Sequence, residues 1–190
     1  MELWIDWWKI VKVFRPCFSR SQTYLWFLVT MICFSVRRDL AGVSSFMRGL
    51  GLKNICYDRL LDFFHSRGIN YQMMVQLWTN LVLHSGLSHS INGKFVLIAD
   101  GVKAPKEGKK MPDVKSLHQE SASNSKPEYI MGHSFQAISL LTTAAGHFFA
   151  TPLVAQIHEG IVESNRSQKT LLDKLVAMFF SLSIQTQCYL

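Results

Sequence analysis

Apolar residues in the first half of the chain recur every three or four positions, which is the period of amphipathic helices. One such stretch, 43–50, is followed by a short glycine-containing turn and then by a second stretch that begins near Asn54. Turn-forming residues are few over this half of the chain. We therefore predict that residues 1–92 form a helical region.

Two asparagines and a glycine mark expected helix ends. Asn54 and Asn70 each precede an apolar face, where a side-chain oxygen can accept a hydrogen bond from a free backbone N–H group. Gly68 lies between them, and glycine commonly ends a helix. The pattern predicts one helix from Asn54 to Gly68 and another from Asn70.

The pattern changes at Lys94. Residues 95–99 form a continuous apolar run that stops at Asp100, which predicts a strand buried on both faces and ending at this carboxylate. Residues 102–128 are rich in Lys, Ser, Pro and Gly, which predicts a long loop.

Two further runs, 133–145 and 147–157, are typical of strands joined in a hairpin. A helical pattern follows over 168–181, and residues 187–190 are typical of the start of another buried strand. The fold class predicted is α+β, with a second region over 93–190.

The order of these elements predicts a topology as well. A strand, a two-stranded hairpin, a helix and a fourth strand make up the first half of a ribonuclease-H-like β-β-β-α-β domain. In that fold the fourth strand lies parallel to the first. The chain stops within the predicted fourth strand.

The charge balance and the cysteines indicate which partners and which compartment suit the chain. The 190 residues contain 20 Lys and Arg against 13 Asp and Glu, a net charge of +7, and residues 1–93 contain ten basic and five acidic residues. A basic surplus favours phosphate binding, although it is equally compatible with a solvated surface. The four cysteines lie far apart, which indicates neither a disulfide framework nor a zinc site and favours a reducing, cytoplasmic setting.

Two apolar segments raise the question of a membrane. Residues 24–36 carry no charge, but these thirteen residues fall short of the roughly 20 that a membrane span needs. We interpret them as a buried core helix, and residues 1–14, where tryptophans mix with lysines, as a docking helix. A peripheral membrane protein held by these segments is the alternative.

The stretch from 43 to 64 has the sequence shape of a helix-turn-helix. Arg48, Lys53 and Arg59 would then be available to bind DNA phosphates, and Arg67 follows shortly after. A helical hairpin in any bundle has the same sequence shape.

Several segments resemble known sequences. Residues 100–112 resemble the segment around the first catalytic carboxylate of bacterial insertion-sequence transposases of the DDE superfamily, and residues 126–133 resemble the segment that leads into their second strand. Residues 14–20, 42–46 and 63–66 are similar to the N-terminal region of the same proteins. Together these matches extend over nearly the whole chain.

The resemblance implies a magnesium-dependent DNA nuclease and strand transferase that cuts at transposon ends. Three acidic side chains hold two Mg²⁺ ions in this family, because hard cations prefer oxygen ligands and two ions about 4 Å apart stabilise both reacting oxygens. Asp100 matches the first of the three and is therefore the candidate catalytic residue and metal ligand. The second Asp is expected a few residues beyond Leu190, and the Glu later still. This fragment is therefore expected to be inactive alone.

Other carboxylates do not replace the missing pair. Asp113 lies in the lysine-rich segment, and Glu159 and Glu163 follow the third predicted strand. His158 and Glu159 begin like a zinc-protease helix, but Val162 stands where that motif needs its second histidine. Glycine-rich phosphate-binding loops and the Gly-x-Ser-x-Gly motif of hydrolases are absent from the sequence.

The lysine-rich segment has two interpretations. Its members Lys103, Lys106, Lys109 and Lys110 either bind the phosphates of a transposon end or belong to a solvated connection. The expected partners are double-stranded DNA and a second copy or an intact transposase, with no membrane. The alternative to an enzyme is a non-catalytic DNA-binding protein, a truncated transposase that acts as a remnant or a repressor.

Overall fold

The computed structural model describes residues 2–39, 42–106, 113–118, 128–158, 169–182, 184 and 188–189. The chain divides into two compact units, Met1–Leu77 and Trp78–Leu190. The first is helical and the second is built on a sheet, so the α+β class is confirmed.

Helices make up the first unit. They are α1 (Glu2–Val13), α2 (Ser21–Val36), α3 (Val43–Leu50), α4 (Ile55–Phe64) and α5 (Tyr71–Leu83), with a short 3-10 turn over Arg15–Cys17 between α1 and α2. Helix α5 spans the division between the units.

The core of the first unit joins α2, α3 and α4. Cys33, Phe46 and Leu60 are buried there in one cluster, one from each helix. A second group of aromatic rings surrounds Phe27, whose ring centroid lies 4.9 Å from that of Phe18 and 5.8 Å from that of Phe14. Burial of these side chains is the main favourable term that holds the short helices together.

The helix ends test the predictions made from the pattern. Asn70 caps α5 as predicted, because its Oδ1 accepts a hydrogen bond from the Met73 backbone N at 3.0 Å. Asn54 occupies the N-cap position before α4 as predicted, but it is helical in conformation and its side chain makes no capping bond. The prediction for Gly68 is wrong, because α4 ends earlier, at Phe64.

The turn between α3 and α4 follows the prediction. Helix α3 ends at Leu50, and Gly51 adopts the left-handed conformation with φ of 59°. Glycine adopts this conformation without the steric cost that a Cβ atom brings, so it suits a tight turn between helices.

Helix α2 is buried on one face only. Thr23, Phe27, Thr30 and Cys33 face the interior, whereas exposed apolar side chains lie elsewhere on the helix, including Leu25 at 57 % exposure. The prediction of a core helix is therefore correct for one face. Within the described residues, no helix is both long and apolar enough to cross a membrane.

Within its described residues, the second unit contains a six-stranded sheet, the end of α5 and one further helix. The strands are β1 (Ser90–Ile91), β2 (Lys94–Pro105), β3 (Lys115–His118), β4 (Tyr129–Ala144), β5 (His147–Ile157) and β6 (Cys188–Tyr189), and the helix is α6 (Leu171–Ser181). Strand β4 pairs antiparallel with β2, β3 and β5. Strand β2 also pairs antiparallel with β1 and parallel with β6.

The predicted hairpin is present. Strand β4 ends at Ala144 and β5 begins at His147, with Ala145 and Gly146 in the turn at φ of 50° and 76°. Two residues with positive φ match the right-handed twist of the flanking strands. Strands β4 and β5 pair antiparallel up to Ala144↔His147, which confirms the predicted hairpin.

Three predictions about the region after Lys94 are wrong. Strand β2 continues past Asp100 to Pro105, because its pairing with β4 extends from Leu97↔Leu140 to Pro105↔Gly132. Residues 102–128 are not one loop, since their described parts include the end of β2 and all of β3. Strand β2 is not buried on both faces either, because Ile98 is 38 % exposed.

Helix α6 covers one face of the sheet. Thr170 and Asp173 form a reciprocal capping box at its start, and Met178 is 2 % exposed. The Gln136 side chain of β4 donates a hydrogen bond from Nε2 to the Leu171 carbonyl oxygen at 2.9 Å. After α6, β6 returns to the sheet beside β2.

Candidate metal site and nucleic-acid contacts

Asp100 lies in the middle of β2, four residues beyond Val96, the last residue of β2 that pairs with β6. Its backbone pairs with Ala137 of β4. The side chain is exposed, and its Oδ1 accepts a hydrogen bond from the Gly101 backbone N at 2.7 Å. Asp100 is thus held on a paired strand and not in a loop.

The carboxylate points away from α6. Side chains alternate between the two faces of a strand, so Asp100 shares a face with Ile98 and Val102, and Leu97 lies on the other. Leu97 is buried and pairs with Leu140 of β4. Leu140 lies on the same face of β4 as Gln136, and the Gln136 side chain bonds to α6. Leu97 therefore faces α6, and Asp100 faces the other way. The face that carries Asp100 is solvent-accessible, since Val102 is 53 % exposed.

The magnesium site implied by the resemblance is incomplete in the described residues. The Oδ2 atom of Asp100 has no hydrogen-bond partner there and can serve as a ligand. Within the described ranges, no three His, Cys, Asp or Glu side chains lie close enough to hold a metal ion. One carboxylate does not make a magnesium site, so the residues present do not fit the ion by themselves.

The other carboxylates considered from the sequence do not change this picture. Asp113 is partly buried just before β3, with φ of 60°. Glu159 and Glu163 lie outside the described residues.

The lysines predicted to bind DNA have different environments. Lys103 lies within β2, on the face opposite Asp100, and its Nζ donates a hydrogen bond to the His118 carbonyl oxygen of β3 at 2.6 Å. Lys106 directly follows β2 and is exposed. Lys109 and Lys110 lie outside the described residues. Lys103 therefore links two parts of the sheet, while the Lys106 side chain is accessible to a ligand.

The basic residues predicted for the helix-turn-helix lie in the first unit. Arg48 of α3 forms a salt bridge with Asp39 at 2.9 Å, Lys53 is exposed in the turn, and Arg59 is exposed on α4. The ion pair of Arg48 lowers its availability for a phosphate. Arg59 lines a cavity together with Arg20, a residue that the sequence argument did not select.

The buried cysteines Cys17 and Cys33 are unsuited to act as nucleophiles. Burial raises the pKa of the Cys17 thiol, and it also raises the pKa of Cys33 although Arg37 acts in the opposite direction. A thiol with a raised pKa is a poor nucleophile, because the thiolate is the reactive form. These two residues serve the core of the first unit.

Comparisons with protein-family models, with curated proteins and with solved structures found no match.

Proposed function

We propose that this chain comprises the DNA-binding region and the first half of the ribonuclease-H-like catalytic domain of a DDE-superfamily transposase, with Asp100 as its first catalytic carboxylate. The sheet topology supports the fold part of this proposal. Strands β2, β4 and β5 are antiparallel neighbours, α6 follows them, and β6 then pairs parallel with β2.

The register of β6 is the observation that carries the proposal. Phe95 pairs with Cys188 and Val96 with Tyr189, so the two strands advance together. In a chain that continues β6 in this register, the third residue after Leu190 is the neighbour of Asp100. A second carboxylate near that position would meet Asp100 at adjacent points of two parallel strands, as the resemblance implies.

The charge distribution supports DNA as the partner. The chain has a net charge of +7, and the exposed residues Lys53, Arg59 and Lys106 are not involved in ion pairs among the described residues. We propose double-stranded DNA at transposon ends as the substrate, a cytoplasmic setting, and a second copy or an intact transposase as the protein partner. Mg²⁺ belongs to this proposal only together with further carboxylates.

The first experiment is to read the DNA downstream of codon 190 in all frames. We expect an apolar strand continuing β6 with an aspartate close to the third position, followed later by a glutamate. Absence of both residues would reject the catalytic part of the proposal and would favour the non-catalytic repressor.

The second experiment uses the longer protein that this reading frame encodes. We expect Mg²⁺-dependent cleavage of a plasmid that carries the element's ends, and we expect Asp100→Asn to reduce cleavage by several orders of magnitude. Binding to the same DNA in a mobility-shift assay should be retained, because the Asp100 side chain is exposed and its replacement leaves the basic residues of the helical unit unchanged. Loss of both cleavage and binding would contradict the assigned role.

The non-catalytic alternative has one observation in its favour. Within the described residues, no group of three metal-ligating side chains forms at Asp100. If the protein binds transposon ends and inhibits an intact transposase in trans, without cleaving DNA itself, this alternative is the correct one.

A further inference from the structure

A cavity of about 200 Å³ lies in the first unit, between the start of α2 and the second half of α4. Arg20, Gln22 and Thr23 contribute from the α2 side, and Arg59, Asp62 and Ser66 from the α4 side. Trp26 and Phe63 provide aromatic walls. The cavity thus joins two guanidinium groups with hydroxyl and amide donors.

Both guanidinium groups are available to a ligand. Arg20 and Arg59 are exposed residues, and neither makes an ion pair or a side-chain hydrogen bond within the described part of the chain. Two other arginines of this unit are already engaged, since Arg15 donates to the Phe18 carbonyl oxygen and Arg48 pairs with Asp39. Arg20 and Arg59 thus place two available guanidinium groups on one cavity.

A hydroxyl group in the cavity wall adds a hydrogen-bond donor to the two arginines. Thr23 is 8 % exposed and lines the cavity, yet its side chain has no hydrogen-bond partner among the described residues. An oxyanion held by the arginines would provide an acceptor for this hydroxyl.

The position of the cavity adds a favourable electrostatic contribution. Arg20 is the N-cap residue of α2, and Gln22 and Thr23 belong to the first turn of that helix. The free N–H groups and the dipole of a helix give its N-terminus a partial positive charge. Helix α2 has 16 residues, and its first turn contains no acidic residue that would cancel this charge.

From these observations we infer that the cavity between Arg20 and Arg59 is a binding site for a phosphate group. A phosphate presents several oxygens in different directions, which suits two guanidinium groups, hydroxyl donors and a helix N-terminus. The phosphate can come from the backbone of duplex DNA or from a free phosphate ion. The DNA source rests on the proposed function, whereas the site itself does not depend on it.

Asp62 makes the inference testable by a gain of binding. It is the one acidic side chain among the residues that line the cavity, and a carboxylate there repels a bound phosphate. Asp62→Asn removes that repulsion and keeps the size of the side chain. We expect this variant to bind phosphate several-fold more tightly, a result that unfolding cannot produce.

The loss-of-binding experiment compares Arg20→Ala and Arg59→Ala with Arg38→Ala in the intact chain. Arg38 follows the other end of α2, more than 20 Å away along the helix axis, so its removal lowers the net charge equally without touching the cavity. Circular dichroism should show unchanged helix content in all three variants.

Two ligands distinguish the sources of the phosphate. Inorganic phosphate is titrated by calorimetry, and duplex DNA is titrated at several salt concentrations. We expect each cavity variant to lose about tenfold or more in affinity for the physiological source. If DNA is that source, the salt slope should also fall by about one unit. If only inorganic phosphate binding falls, the site takes a free phosphate.

The inference is overturned if the two cavity variants bind both ligands as Arg38→Ala does, or if Asp62→Asn leaves both affinities unchanged. Neither readout measures DNA cleavage. The transposase proposal can therefore fail through the Asp100 experiments while the phosphate site stands, and the reverse also holds.

Discussion

Single residues determine how closely the strands of the sheet can approach. Gly132 of β4 faces Pro105 on β2 and Lys115 on β3 at once. A Cβ atom at this position would collide with the backbone carbonyl group of Ala104, which cannot move without breaking the pairing of β2 with β4. Only glycine fits between the two neighbouring strands without a displacement.

We therefore expect Gly132→Ala to destabilise the protein by roughly 1–3 kcal/mol, the usual cost of inserting atoms into a packed site. Gly101→Ala on β2 is the matched control. An added Cβ there would meet its nearest neighbour, the Phe135 carbonyl oxygen, at an ordinary 3.7 Å. Urea unfolding of both variants measures the difference, and equal stabilities would show that the strands are not constrained at Gly132.

At the scale of elements, α6 begins with a motif that the sequence analysis did not select. The Asp173 carboxylate accepts hydrogen bonds from the Thr170 hydroxyl at 2.7 Å and from the Thr170 backbone N at 2.8 Å. The Thr170 hydroxyl oxygen in turn accepts a bond from the Asp173 backbone N. A threonine followed three residues later by an acidic residue, ahead of an apolar run, is the signal that indicates such a cap.

This cap makes the stability of the protein depend on acidity. The two hydrogen bonds from Thr170 lower the pKa of Asp173 below its ordinary value of 3.8. A carboxyl group with a lowered pKa in the folded state stabilises that state above its unfolded pKa. The contribution is lost as the pH falls through the lowered value.

We expect Asp173→Asn to show a smaller loss of stability than the wild type between pH 5 and pH 2. Thr170→Val should reduce the same dependence, because it removes the hydroxyl donor and keeps the carboxylate. Thermal unfolding at a series of pH values measures both. Identical pH profiles in wild type and Asp173→Asn would contradict the role of the cap.

At the scale of the whole molecule, basic residues outnumber acidic ones in a chain that we propose to bind DNA. Binding of this kind releases counterions from the phosphates, so affinity should fall steeply as salt rises. The side chains of Lys103 and Arg48 are already engaged within the protein. The salt dependence must therefore come from other basic residues.

Lys109 and Lys110 are the residues of the lysine-rich segment that we expect to contribute. Their joint replacement by alanine should lower the slope of log affinity against log salt by about two units. Lys9→Ala with Lys12→Ala removes the same charge from α1 and is the control. A slope that stays at the wild-type value in the Lys109 and Lys110 variant would exclude these lysines as DNA contacts.

The elements that the sequence predicted correctly depend on neighbours along the chain. The cap at Asn70, the turn at Gly51 and the two-residue hairpin after Ala144 are each determined by a few adjacent residues. The helical period over the first unit likewise depends only on residues three or four positions apart in the sequence. For this reason the α+β class and the hairpin of β4 and β5 could be predicted.

What the sequence did not determine depends on partners far along the chain. The length of β2 beyond Asp100 and the presence of β3 both follow from pairing with β4, which lies later in the chain than either strand. Backbone groups need partners whatever their side chains are, so a polar segment becomes a strand when a neighbouring strand is available. Composition alone therefore predicted a loop there.

For the two candidate sites, too, some features follow from the sequence and others only from the tertiary structure. The sequence by itself determined the helical and sheet halves, the basic balance, and Asp100 as a carboxylate after an apolar run. Only the tertiary structure decided that Asp100 lies on the face opposite α6, and that Arg20 and Arg59 share one cavity. The reason is physical: a periodic pattern reports which residues share a face of one element, whereas a site is formed where separate elements pack together.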